Sequence, residues 1–475
     1  MKRIALGLCL VLSACAPREI LLPVVGLDPP RFNDLPADFE APLSAETERP
    51  MPGFGGSLDS LDRTPVIFVH GNTVSASYWQ PVRAEFITQG YQRGELWGFS
   101  YGWNNVRYFD SADLSVPSLE RAVTAVMDYI GEQTGTPVRQ VDLIGHSLGV
   151  TLTRQWMRQT NAFHKVRSFI ATCGANDGVW TASRDTRGQQ RPVSWELYPG
   201  SPWLAQLNRD GETPGPTRYM TLYDGTGWGD VLFPAPYEHS GALEGADNVA
   251  WNVEHGSWYG HLNLPREPGP MAAMREWLQA GAEPDRDAEP PQIALDDNIL
   301  TTDQPGARLH CREDGRYPDR ATPARERLTM QPDTLYTCFA HHPATRLASP
   351  LARFRAFDEV DLARPRPTVS ISPAGGVFEH PIDVTISSND PEAYIVYNTA
   401  GTPLTTGSPL YRDGVHIVAP VTLTAMAVSP GGVRSEPVSV EIDISLELVE
   451  ARHTLQRQFD PQAPVKYAGQ RKKGN

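Results

Sequence analysis

Between Thr64 and about Gly281, short apolar runs of strand length alternate with longer runs whose apolar residues recur every three or four positions. This alternation restricts the chain more than any other feature, because strand, helix and strand in succession is the unit from which parallel sheets are built. Val66-Ile67-Phe68-Val69 is the first strand, apolar throughout and so expected to be buried. Ser77-x-x-Gln80 stands where it could cap a helix on which Trp79, Val82, Phe86 and Ile87 share one face. Leu119, Val123, Val126 and Ile130 mark a second helix at the same period, Val141 to Ile144 a strand, Leu148, Leu152 and Trp156 a helix, and Val166 to Ala171 another strand. Residues 61–281 are therefore predicted to form a mostly parallel sheet with helices on both faces.

A chain of 475 residues exceeds one ordinary core, and its composition breaks near residue 281. All 11 tryptophans lie between Trp79 and Trp277. Beyond the linker Glu283 to Pro291 come short β-type runs and turn signals, with an internal repeat. Ala307-x-Leu309, Gly315 and Ser349 match Ala393-x-Ile395, Gly401 and Ser435 at a constant offset of 86 residues. Two small all-β sandwiches of immunoglobulin-like shape are predicted, over 290–360 and 366–447. A disordered tail is expected over 450–475.

The chemistry concentrates in Gly145-His146-Ser147-Leu148-Gly149. Gly-x-Ser-x-Gly between a strand and a helix is a strained turn that lifts the serine hydroxyl clear of the sheet. With 40 glycines in the chain, chance alone supplies roughly 0.2 copies of this pattern, so context must decide. A second copy, Gly98-Phe99-Ser100-Tyr101-Gly102, runs into Trp103-Asn104-Asn105, a loop composition, and Ser100 is read as a decoy. Ser147 follows an apolar strand, opens an amphipathic helix and is the candidate nucleophile. An attacked ester carbonyl also needs hydrogen-bond donors for its developing oxyanion. His70-Gly71-Asn72 ends the first strand, so the backbone amides of Asn72 and Leu148 are the candidate donors.

From Pro65 to about Leu264 the chain resembles the class 2 family of small bacterial triacylglycerol lipases. The matching stretches are Val69-His70-Gly71, Val141 to Ser147, Gly174-Ala175-Asn176 and Leu243-Glu244-Gly245-Ala246-x-Asn248-Val249. The resemblance implies the α/β-hydrolase fold and a serine-histidine-aspartate triad in that chain order. Its acid falls on Asp230-Val231-Leu232, with Asp224 at the preceding strand end as the alternative. Its histidine falls on His261 in Gly260-His261-Leu262-Asn263-Leu264, with His255 as the alternative. No cofactor and no metal is expected. The stretch 177–216 is longer than in the family and carries Trp180, Trp195 and Trp203; it is either a lid or wall of the site, or a segment packed on the domain surface. The second sandwich resembles the C-terminal domain of chitobiases and β-hexosaminidases. The function these features imply is a serine ester hydrolase, lipase or esterase. The alternatives are a polyester depolymerase, a polysaccharide esterase, or a surface-binding lipoprotein whose hydrolase domain is a relic.

The N-terminus carries Lys2 and Arg3, then an apolar run from Ile4 to Ala14 of 11 residues. Spanning a membrane takes roughly 20, so the run reads as an export signal. It ends in Leu12-Ser13-Ala14-Cys15, which resembles a bacterial lipobox and implies lipidation of Cys15 and an outer-membrane or surface location. Residues 1–15 are thus the signal and lipid site, and the proline-rich stretch 16–60 is expected to be an extended tether. Of five cysteines, Cys9 leaves with the signal, Cys173 reads as a buried strand residue, and Cys311 and Cys338 remain as a candidate disulfide. The net charge of -14 argues against nucleic acid as a partner. Expected partners are an acyl-ester or lipid substrate, the membrane through the anchor, and a surface or polymer on which the sandwiches dock.

Overall fold

The computed structural model describes residues 32–72, 74–101, 111–182, 192–252 and 258–444, with only the backbone of Trp258 and Tyr259. The signal segment with Cys15, the alternative His255 and the tail 450–475 lie outside these residues. β1 (Gly53–Phe54), β2 (Val66–Val69), β3 (Leu96–Phe99), β4 (Val141–His146), β5 (Val166–Thr172), β6 (Arg218–Asp224) and β7 (Asp247–Trp251) form one sheet in the order β1-β3-β2-β4-β5-β6-β7. β2 to β7 run parallel, and β1 is an antiparallel edge. β2 to β5 are buried along their whole length, as a sheet covered on both faces requires.

The helices follow the apolar periodicity, with different punctuation. α1 (Gln80–Thr88) buries Val82 and Phe86 as expected, but Ser77 does not cap it. Ser77 lies instead in a tight turn, Ala76–Trp79, with its hydroxyl 2.8 Å from that of Ser75. Pro81 begins α1 at a position where no donor is needed, which lessens the call on a capping side chain. α2 (Ala112–Thr134) starts at Ser111, whose hydroxyl accepts from Leu114 N, and stops at Gly135 in the left-handed region, φ 67°. α3 (Leu148–Thr160) is covered on nearly every side.

One expectation needs correction, and one open alternative is narrowed. Residues 32–60 are not a free tether: Phe39 packs 4.9 Å from Trp97, Phe54 is fully buried, and Asp34 pairs with Arg83 at 2.5 Å and Arg93 at 2.6 Å. Proline favours extended backbone, but extended backbone can pack as an edge strand when its aromatics find a core. In the insertion 177–216, the described C-terminal part forms α4 (Pro192–Leu197) and α5 (Pro202–Asn208). Glu196 receives the Ser111 hydroxyl and Ala112 N, and Trp203 Nε1 donates to Asp113 at 2.8 Å. This part is fastened to the start of α2, as the surface-segment alternative requires.

The second half is two sandwiches. The first pairs a sheet of β8 (Ile293–Asp296), β9 (Ile299–Thr302) and β12 (Leu328–Thr329) with one of β10 (Arg308–Arg312), β11 (Ala324–Arg325), β13 (Leu335–His341) and β14 (Ala352–Arg355). The second pairs β15 (Val369–Ser372), β17 (Ile382–Ser388) and β19 (Val415–Ile417) with β16 (Gly376–Phe378), β18 (Tyr394–Asn398), β20 (Val421–Val428) and β21 (Val438–Ile444). The internal repeat is visible in single contacts. Ser349 exchanges hydrogen bonds with the Ala340 backbone through its amide (2.8 Å) and hydroxyl (2.9 Å), and Ser435 does the same with Ala427 at 2.9 and 3.0 Å. Gly315 and Gly401 share a left-handed backbone, φ 72° and 66°.

Cys311 on β10 faces Cys338 on β13 and is bonded to it, with Cα atoms 4.2 Å apart; Tyr397 faces Ala425 at the equivalent place in the second copy. Closing a loop of this length restricts the unfolded chain by about 3 to 4 kcal/mol. Both sandwiches also join the core of the sheet domain. Phe339 and Leu351 of the first and Val418 and Ala419 of the second belong to its continuous buried cluster. At the end of α3, Gln159 Oε1 accepts from Thr399 N at 2.9 Å and Asn161 Nδ2 donates to Leu351 O at 2.8 Å.

Candidate active site

β4 ends at His146 and α3 begins at Leu148, leaving Ser147 alone at the bend with φ 53° and ψ -122°. Such a conformation costs on the order of 1 to 3 kcal/mol for a residue with a side chain and persists only where its surroundings enforce it. Here Ser147 N donates to Thr172 O at 3.0 Å, tying the bend to the end of β5. A Cβ on Gly149 would lie 2.4 Å from Val69 O, so only glycine lets α3 approach β2 this closely. A Cβ on Gly71 would lie 2.9 Å from Ser147 Cβ, so the turn His70-Gly71-Asn72 presses directly on the serine. His70 stacks on Tyr101 at 4.0 Å, and the Tyr101 hydroxyl donates to His70 O, holding that turn. Leu148 N lies in the first turn of α3, where backbone donors point outward with the positive end of the helix dipole.

β6 leads into the loop that carries Asp230. Asp224, the last residue of β6, accepts from Gly229 N at 2.8 Å, Asp230 N at 3.2 Å and the Thr226 hydroxyl, and so shapes the loop. Asp230 then faces His261: its Oδ2 accepts from His261 Nδ1 at 2.7 Å, while Oδ1 accepts from Leu232 N at 2.9 Å. Both are buried, Asp230 at 1% and His261 at 3% exposure, so the pair is shielded from water and counter-ions. His261 lies on α6 (Trp258–Asn263), ahead of α7 (Pro268–Gln279). His146, the residue before the serine, has Nε2 2.9 Å from His261 O, and Tyr78 stacks on its ring at 4.6 Å. Burial holds the His146 pKa well below its ordinary value, so the ring is neutral and donates from Nε2 to that carbonyl.

The structure thus brings Asp230 and His261 together and sets His261 against the residue preceding Ser147. Asp224 is turned to the loop, and Ser100 accepts from Ala76 N at 3.0 Å in a buried structural role.

Residues 63–224 match the class 2 lipase family. Residues 373–439 match the chitobiase/β-hexosaminidase C-terminal domain. The lipase match takes in Asn72, Ser147 and Leu148 and stops at Asp224, short of Asp230 and His261. Among solved structures, the mature form of the Bacillus licheniformis lipase BlEst2 is 18% identical over 47% of this chain and 95% of its own, with a TM-score of 0.36. Its propeptide form is 13% identical over 83% of this chain and 97% of its own, with a TM-score of 0.36. The Pyrococcus furiosus esterase Pf2001 is 14% identical over 54% of this chain and 99% of its own, with a TM-score of 0.35.

One residue of the sheet domain differs from its expected place. Cys173 is not inside a strand; it is the first residue past β5, with φ 50°. Its position directly before Gly174-Ala175-Asn176, one of the stretches shared with the family, is the signal that could have drawn attention to it.

Proposed function

We propose that the protein is a serine ester hydrolase acting on acyl esters through Ser147, His261 and Asp230. The observation that carries this reading is the buried Asp230–His261 contact of 2.7 Å beside the Ser147 bend. Ser147 Oγ attacks the ester carbonyl while His261 takes its proton. The tetrahedral oxyanion is received by Asn72 N and Leu148 N, and it collapses as His261 passes the proton to the leaving alcohol. Water, deprotonated by His261, then cleaves the acyl-enzyme, releasing the acid and restoring Ser147. Asp230 keeps the imidazole in the tautomer with its lone pair on Nε2 and stabilises the imidazolium. Trp228, 79% exposed and two residues before Asp230, together with Trp180, favours an apolar acyl group at the mouth. The purified protein should hydrolyse p-nitrophenyl esters of graded chain length. Absence of turnover on every ester, with no labelling of Ser147 by a fluorophosphonate, would sink the proposal.

The same reading makes the mature protein a lipoprotein held at the outer membrane or cell surface through Cys15. A multiply acylated cysteine anchors stably where one chain would not. Cys15→Ser should abolish fatty-acid labelling and move the protein out of the membrane fraction. Unlabelled native protein that fractionates unchanged would refute the anchor.

A further inference from the structure

The insertion 177–216 begins beside the loop that carries Asp230. Asn176 N donates to Ser240 O at 2.9 Å and Asp177 N to Ser240 Oγ at 3.2 Å, and Ser240 Oγ in turn donates to Gly178 O at 2.7 Å. Val179 N donates to Leu197 O at 2.8 Å. Gly178 has φ 100°, and a Cβ there would lie 2.8 Å from Pro199 Cα, so the start of the insertion is pressed against its own return. Trp180 stands on this fixed base, 38% exposed, and its Nε1 donates to Val231 O at 2.9 Å. The C=O of Val231 and the N–H of Leu232 are the two ends of one planar peptide group, so neither turns without the other. Leu232 N donates to Asp230 Oδ1 at 2.9 Å, and Oδ2 of the same carboxylate accepts from His261 Nδ1 at 2.7 Å. Indole, peptide, carboxylate and imidazole thus form one unbroken series of hydrogen bonds.

We propose that Trp180 is a positioning residue of the reaction: its indole N–H fixes the Val231–Leu232 peptide, and through that peptide the Asp230 carboxylate that faces His261. This rests on the triad proposed above. The terminal torsion of an aspartate is broad, so a carboxylate needs a contact on its far oxygen to stay in line with a partner on the near one. Leu232 N is that contact, and its own direction is set by the peptide that Trp180 holds. Asp224 fixes the chain before Asp230, through Gly229 N and Asp230 N, and Trp180 fixes the peptide after it. Donation to a carbonyl also polarises its peptide and strengthens the N–H at the other end. With the indole donor gone, Val231 O would turn to water, which satisfies an acceptor from many directions and holds none of them.

The test measures kcat and KM on p-nitrophenyl acetate and octanoate, with Tm alongside, for Trp180→Phe, Trp180→His, Asp230→Asn and the Trp180→Phe/Asp230→Asn double variant of the full chain. Trp180→Phe keeps an aromatic ring and loses the donor. Its kcat should fall about fivefold, the size of one neutral hydrogen bond, equally on both esters, with KM and Tm nearly unchanged. Trp180→His, whose five-membered ring can offer an N–H, should recover part of that loss. In the Asp230→Asn background, Trp180→Phe should cost almost nothing, because its effect passes through the carboxylate that variant has lost. Wild-type kcat in Trp180→Phe, with Ser147→Ala inactive, would overturn the proposal and leave the triad standing. So would a loss confined to KM or to the octanoate, the mark of a ring that touches the acyl chain, or the same loss undiminished in the double variant. Wild-type turnover in Ser147→Ala would refute the triad, and the role of Trp180 with it.

Discussion

Ser147→Ala is expected to lower kcat about a millionfold, to the rate that binding and oxyanion donors supply alone, with Tm unchanged within a few degrees. The size follows from the role: with no hydroxyl at the bend, no acyl-enzyme forms, and the loss is not shared with other groups. Folding should survive because the bend is enforced by its neighbours, through the Ser147 N to Thr172 O bond and the close approach of Gly71, and neither uses the hydroxyl. Hydrolysis of p-nitrophenyl acetate and a thermal melt of the same preparation measure both halves. Turnover near wild type would remove Ser147 from the mechanism. An equal loss in a well-folded Ser100→Ala would transfer the role to the other Gly-x-Ser-x-Gly.

The second large effect separates two aspartates. Asp230→Asn should cost on the order of ten-thousandfold in kcat, because an amide facing His261 Nδ1 can stabilise the wrong tautomer and cannot balance an imidazolium. Asp224→Asn should cost far less in rate and more in stability. The Asp224 carboxylate receives Gly229 N, Asp230 N and the Thr226 hydroxyl, and an amide keeps only part of that acceptor capacity. The comparison reads kcat against Tm for the two variants. A greater rate loss in Asp224→Asn, at equal foldedness, would assign the acid to the end of β6.

Those residues were legible to different degrees for physical reasons. The bend around Ser147 is local: an apolar strand, two glycines and an amphipathic helix lie within some twenty positions, and periodicity reports them directly. Asp230 and His261 stand 31 residues apart, and only their resemblance to a family pattern marked them before their contact was seen. The packing of residues 32–60 is not legible in the sequence, because proline content reports backbone stiffness and says nothing of where Phe39 and Phe54 find a surface. The pattern at Ser77 predicts a cap that the structure lacks, because a capping pattern is indifferent to the proline that makes the cap unnecessary. The apolar run before Cys173 gives no sign of which residue turns the corner, so the sequence places Cys173 inside the strand it in fact follows.

The contacts at the far end of α3 change how the β-sandwiches can be regarded. The helix that starts at the Ser147 bend finishes at Gln159 and Asn161, each holding a different sandwich. Appended modules are commonly pictured as cargo on a string, free to be exchanged or shed. In this chain they are foundations, since a graft that swapped them would also uncover the root of the helix that aims the serine. Any change in the second half has to remain compatible with that grip if the helix is to keep its place.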